Sequence, residues 1–267
     1  DSSFANATTA QGNTDGSGQG DFHYAVPSGF KAICSANLPD PSILLPNSYF
    51  DILLWTANAS TQAITGLNFS PDWVWGKSRD DAYDHEVYDT VRGTLKRLKP
   101  NANDEELTNS GNLTSFDSGG FTLGSATNMN FNSGSNIVGW CWEGGTSTVT
   151  NSDGTISSQV RASATAGFSI VTYTGNGTGG ATVGHGLGVA PQVIFVKRRN
   201  AADDWRVNIG AVLGSGKDGH SVKLNSTGGE NDANNLFNST NASSTVFTIG
   251  TDADVNGNTS TYVAYCF

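Results

Sequence analysis

The chain has 267 residues, of which 14% are charged, 33 are glycine and one, Met129, is methionine. Scarce Leu, Lys, Glu and Met exclude a helical bundle, and aromatics at 10%, set in clusters, exclude a disordered chain. A formal net charge of −10 disfavours nucleic acid and anionic membranes as partners, and no apolar run approaches the ~20 residues of a membrane span.

Residues 1–22 are polar and Gly-rich and read as an extended arm. Apolar residues return from Phe22 to Ile43, punctuated by Pro27-Ser-Gly29 and Pro39-Asp-Pro41, so 1–44 reads as arm and connector. The chain opens on Asp1 with no basic-then-apolar leader, which suggests a piece or a processed product of something longer.

From there the chain repeats itself. Phe50-Asp-Ile-Leu-Leu-Trp-Thr56 resembles Phe168-Ser-Ile-Val-Thr-Tyr-Thr174, and Pro71-Asp-Trp-Val-Trp-Gly-Lys77 resembles Pro191-Gln-Val-Ile-Phe-Val-Lys197. Gly120-Phe-Thr-Leu-Gly124 matches Val246-Phe-Thr-Ile-Gly250, and Val138-Gly-Trp-Cys-Trp142 matches Val263-Ala-Tyr-Cys-Phe267. The expected division is a β repeat over 45–145, a structured linker hairpin over 146–166 and a second β repeat over 167–267. In the linker, Asn151-Ser-Asp-Gly154 followed by Thr155-Ile-Ser-Ser-Gln-Val160 is a hairpin signal.

The segments are short, β-branched or aromatic, and bounded by Gly, Asn and Ser. Asp72-Trp-Val-Trp-Gly76 and Gln192-Val-Ile-Phe-Val196 are too continuously apolar for solvated edges and read as central strands covered on both faces. Asn103-Asp-Glu-Glu-Leu-Thr108 reads as a short helix with a capping Asn, and 231–237 as a similar turn. The fold class is mainly β, two tandem β-sandwich-like repeats behind an extended N-terminal arm.

Several constellations invite a chemical reading. Asp252, Asp254 and Asn256 open like a calcium loop, but the twelfth position, which needs a bidentate Glu, is Val263. Calcium is therefore the one cofactor candidate, with a turn before the last strand as the competing reading. His185, in Gly184-His-Gly-Leu-Gly188, lacks the G-x-S-x-G elbow that would give it a nucleophile and also suits a turn. Asp80-Asp81 with Asp84 and Glu86, and Asp203-Asp204, are carboxylate groups that a glycan hydrolase could use at a suitable separation. Trp73, Trp75, Trp140 and Trp142 suit core packing, whereas Trp205 beside Asp203-Asp204 is the better surface platform for a sugar ring. The glycan-contact candidates are Trp205, Asp203, Asp204 and His185; no catalytic constellation emerges. Cys34, Cys141 and Cys266 are an odd number without metal spacing, and read as buried thiols, with a Cys141–Cys266 disulfide open in an oxidising setting. The nine N-x-S/T sequons, Asn58 and Asn176 among them, matter only in a glycosylating secretory pathway.

The run Phe22-His-Tyr-Ala-Val-Pro-Ser-Gly-Phe-Lys-Ala-Ile-Cys-Ser-Ala-Asn-Leu-Pro39 resembles a recurrent junction in large virion proteins of marine tailed phages, often labelled tail fibre or tail spike. There it tends to follow a concanavalin-like SPRY domain. Asp89-Thr-Val-Arg-Gly93, Gly167-Phe-Ser-Ile-Val and Val183-Gly-His-Gly-Leu-Gly188 resemble a repeat domain of the same proteins, so the resemblance runs over nearly all the chain after about residue 20. It implies a structural component at the virion surface, partnered by other virion proteins and by host-surface glycan, assembled as a homo-oligomer (a trimer by analogy), with no cofactor and no enzyme activity. Head decoration, a fibre shaft, a polysaccharide depolymerase and a secreted adhesin are the alternatives.

Overall fold

The computed structural model describes residues 11–39, 43, 45–232 and 234–267, in two units, 1–44 and 45–267. Residues 1–10, 40–42 and 44 of the expected arm lie outside the described residues. The first unit is organised around Asp15. Its carboxylate accepts from the backbone of Ser17, Gln19 and Ala32 and from the Asn37 amide. Those donors, the Gln19 and Ala32 N–H groups foremost, hold its carboxyl down at about 2.

The second unit is mainly β and carries the duplication into its topology. One large sheet has the strand order Phe50–Thr56, Asn136–Trp142, Trp73–Ser78, Glu86–Asp89. The other runs Val149–Asn151, Ser158–Ser163, Phe168–Thr174, Thr261–Cys266, Ile194–Arg198, Arg206–Asn208, Ser221–Lys223. Its third to sixth strands repeat the order of the first sheet. Register agrees as well: Val74 pairs with Cys141 as Ile194 pairs with Cys266, and Trp75 with Trp140 as Phe195 with Tyr265. The two apolar runs read as central strands are indeed central.

Strand alternation then distributes side chains to two faces. Inward from the first sheet point Val74, Tyr88, Ile137 and Cys141, which close against Ile64, Leu113, Phe121 and Leu123 of a small three-stranded sheet. Inward from the second point Val171, Tyr173, Ile194, Val196, Tyr262 and Ala264, which close against Val183, Phe247 and Ile249. Each repeat is thus a sandwich with its own core. Cys141 and Cys266 lie in these separate cores as free thiols, so they form no disulfide. Burial raises both, Cys266 to about 12.

A third core lies between the repeats. From the outer faces of the two large sheets, Trp73 and Val87 meet Phe168, Ile170, Val263 and Tyr265, joined by Leu98 and Trp205. Trp73 sits 4.6 Å from the Tyr265 ring and 5.5 Å from Phe168, and Trp142 sits 6.1 Å from Phe267. Each large side chain sealed there contributes about 2–3 kcal/mol of apolar burial, so the parts of the outer faces that meet are core as well.

Two local expectations resolve differently. Residues 149–163 do form an antiparallel hairpin, but it continues the second sheet: Ser158–Ser163 pairs along the whole of Phe168–Tyr173. Residues 103–108 form no helix. Leu107–Thr108 pairs with Lys96–Arg97, and the Glu106 N–H donates to the Arg199 carbonyl of the other repeat. Tertiary hydrogen bonds take the backbone groups that a helix would have used. The counterpart segment holds a short helix over Asn234–Phe237.

Candidate functional site

The residues singled out in the sequence are placed inside the fold. Trp205 is 1% exposed, within the inter-repeat core, and its indole N–H donates to the Lys99 carbonyl at 2.8 Å. It cannot receive a sugar face, and that expectation is corrected: its neighbours 203–204 are on a loop, but the ring turns inward to cap Tyr265, 6.3 Å away. His185 is fully buried. Its Nε2–H donates to the Ser243 carbonyl while Nδ1 accepts from the Leu187 N–H, and burial lowers its pKa, so it is a neutral turn histidine. Asp203 is paired with Arg198 at 2.9 Å, and Asp204 with Lys223 at 2.6 Å. The four glycan candidates are therefore not brought together as a surface.

The calcium candidates are likewise engaged. Asp252 caps the Ala253–Asn256 turn by accepting from the Asp254 N–H. Asp254 is paired with Arg206 at 2.6 Å. Asn256 is buried and clamps two loop segments to its own turn: Nδ2 donates to the Thr178 and Gly250 carbonyls, and Oδ1 accepts from the Asn176 N–H. Asn130 does the same in the first repeat, with Ser60, Gly124 and Asn58. A group with the same neutral amide work in both copies is a structural clamp, so the calcium reading is corrected to a turn. Among the described residues no group of three or more His, Cys, Asp and Glu is placed to hold a metal. Asp80 and Asp81 similarly bond the 132–136 turn, through Asn136, Asn132 and Ser135.

The ionisable cluster that the sequence did not reveal is a lock between the repeats. Arg92 is buried, its Nε bonded to Asp89 and its Nη1 3.1 Å from Glu106. Burial opposes its charge, but Asp89 and Glu106 more than offset that and raise its pKa. From the second repeat, Tyr265 donates to Asp89 at 2.7 Å and Arg199 forks onto Glu106 with two bonds of 2.9 Å. Burial pushes the Glu106 carboxyl up, and the two arginines, Arg199 foremost, hold it below its ordinary value. Arg161 completes the set, 2.6 Å from Asp72, whose carboxyl burial nonetheless raises. The Lys197 ammonium, with no exposed surface, donates to the Arg198, Ala201 and Asn103 carbonyls, the last in the other repeat. The Asp89-Thr-Val-Arg-Gly93 motif carries two members of this lock, Asp89 and Arg92, in one run. A shallow cleft of about 190 Å³ beside it is lined by Arg97, Lys99 and residues 104–107.

What remains open is the part of the first sheet's outer face that the second repeat does not cover. Ile52 and Leu54 are 47% and 65% exposed, while Trp75 and Trp140 are half-buried with rings 6.5 Å apart. Trp75 donates its indole N–H to His85 Nδ1 at 2.9 Å. Burial, then the Lys77 charge, lowers the His85 pKa, keeping Nδ1 free to accept. The strip is thus aromatic and aliphatic, with one imidazole, hydrogen-bonded to Trp75, at its border.

Residues 45–267 match the model of a family described as a domain of unknown function, DUF7483, and the chain belongs to that family. No curated protein and no solved structure matches it.

Proposed function

For a DUF7483 chain built in this way, we propose a non-catalytic structural role: a component of a tailed-phage tail fibre or comparable appendage, displayed at the particle surface. The observation that carries the reading is the inter-repeat lock. Asp72, Asp89, Arg92, Glu106, Arg161 and Arg199 pair with one another and hold the two sandwiches together. The phage assignment itself rests on the sequence resemblance. Labelling intact particles with an antibody against residues 45–267 tests it: signal along an appendage supports the proposal. Signal over the head supports decoration instead, and absence from particles sinks both.

Host-surface glycan contact is a second reading, favoured by the open Trp75–Trp140–His85 strip, since aromatic faces suit the apolar faces of pyranose rings. Weak single sites would act together on a multivalent appendage. On a glycan array, multivalent protein should bind, and Trp140→Ala should abolish the signal; binding that survives the substitution removes this strip from consideration.

A further inference from the structure

The strand Phe50–Thr56 lies at the edge of the first sheet, and its counterpart Phe168–Thr174 does not. In the second repeat, Ser158–Ser163 pairs with that counterpart on its far side, and Thr261–Cys266 on the near side. In the first repeat the near side is taken by Asn136–Trp142, and no strand pairs along the far side among the described residues. The bonding parity is defined by the flanking pairs: Ala57 N–H donates to Ser135 and Glu143 N–H to Tyr49. Odd-numbered residues therefore bond to Asn136–Trp142, and the N–H and C=O groups of Phe50, Ile52, Leu54 and Thr56 point outward. The same four residues carry the outer face, where Ile170 is fully buried but its match Ile52 is 47% exposed.

Beyond one charge of inward parity, Asp51, and the Gln62 amide that donates to the Thr56 carbonyl, this edge has few of the features that protect a solvent-facing strand. It runs seven residues without Pro, Lys or bulge, and its only charge, Asp51, accepts from the neighbouring Ile52 N–H. The exposed row is also continuous with the inter-repeat core: the Phe50 ring is 4.6 Å from Trp142, which in turn touches Trp73 and Phe168.

We propose that the outer edge of Phe50–Thr56 pairs antiparallel with the same strand of a second copy of this chain. The two four-stranded sheets then merge into one of eight, and the Phe50, Ile52 and Leu54 rows lie side by side across a two-fold axis. A self-complementary edge closes on itself, so the assembly stops at two along this contact. The proposal stands on strand geometry and holds whether or not the chain is a phage component.

Sedimentation equilibrium on the full chain tests it, with Ile52→Lys/Leu54→Lys and Ile52→Pro as variants at an exposed strand. The wild type should be a dimer at micromolar concentration, and each variant should weaken association at least about 100-fold with an unchanged circular dichroism spectrum. Ile52→Pro removes an outward N–H and leaves the ladder to Asn136–Trp142 intact. A monomeric wild type overturns the proposal, whether the arm then takes the edge or nothing does. So does a dimer that resists both substitutions. A dimer broken by the lysines and untouched by the proline also overturns it, because the contact would then be face stacking.

Discussion

Lys197 shows how a single residue carries both the duplication and the inter-repeat contact. Its ammonium bonds the carbonyls one and four residues on, as Lys77 does in the first repeat, and additionally reaches Asn103 across the interface. Burial pushes its pKa down from 10.5 to about 8, against the pull of Asp203 and Asp254. Between those values the unfolded chain holds a proton that the native state has released, so stability rises with pH, by about 3 kcal/mol in full. The buried thiols of Cys141 and Cys266 and the buried phenols of Tyr88, Tyr173 and Tyr265 are raised by burial and act in the opposite sense. Above about pH 9 the unfolded chain ionises first its cysteines and then its tyrosines and the native state does not, so stability falls. Thermal melts should therefore rise between about pH 8 and 9 and then fall, and Lys197→Met should remove the rise and steepen the fall.

At the scale of elements, the connection at 142–149 determines how the repeats meet. Gly145 has φ of +104° and lies against the Ala162 backbone, where an added Cβ would sit 2.2 Å from the carbonyl oxygen. Its neighbour Gly144 donates its N–H to Asp72, the carboxylate that Arg161 also holds. Left-handed backbone and close approach together admit only glycine at 145. Gly145→Ala should destabilise the chain by about 2–4 kcal/mol in urea unfolding, through strain and displacement of the 158–163 strand. Alanine at Gly188, also at positive φ but with open space around it, should lower stability by only about 1 kcal/mol.

For the whole molecule, the decisive fact is that two sandwiches share a third core. The residues that cover the outer face of the second repeat, Trp73, Val87 and Leu98, belong to the first. Calorimetry of the intact chain should therefore give one transition for 45–267, and the fragment 146–267 should aggregate with Phe168, Ile170 and Tyr265 bare. Two separate transitions, or a soluble monomeric fragment, would show the interface to be dispensable. Thiol labelling offers an independent check: in the native chain Cys34 should react, while Cys141 and Cys266 should react only on unfolding.

The mainly β class, the duplication and the central strands were determined by the sequence alone. They rest on local signals: β-branched and aromatic runs, Gly and Asn at their ends, and matched segments such as Phe121–Gly124 and Phe247–Gly250. Continuous apolar character in Trp73–Trp75 even announced that both faces are covered, without saying by what. Only the tertiary structure decided that the cover is the other repeat, because sequence spacing carries no information on which outer faces meet. That is why Trp205 looked like a surface aromatic and lies in a core, and why Glu106 looked like the first turn of a helix and holds Arg199 instead. It is also why the low charge and abundant glycine of the composition, which suggest loops, belong to a chain in which several of the buried ions, Asp72, Asp89, Arg92 and Lys197, gather at one interface. The open edge at Phe50–Thr56 came from the same source: of two equivalent strands, Phe168–Thr174 has a hairpin beside it and the first repeat against its outer face, and Phe50–Thr56 has neither.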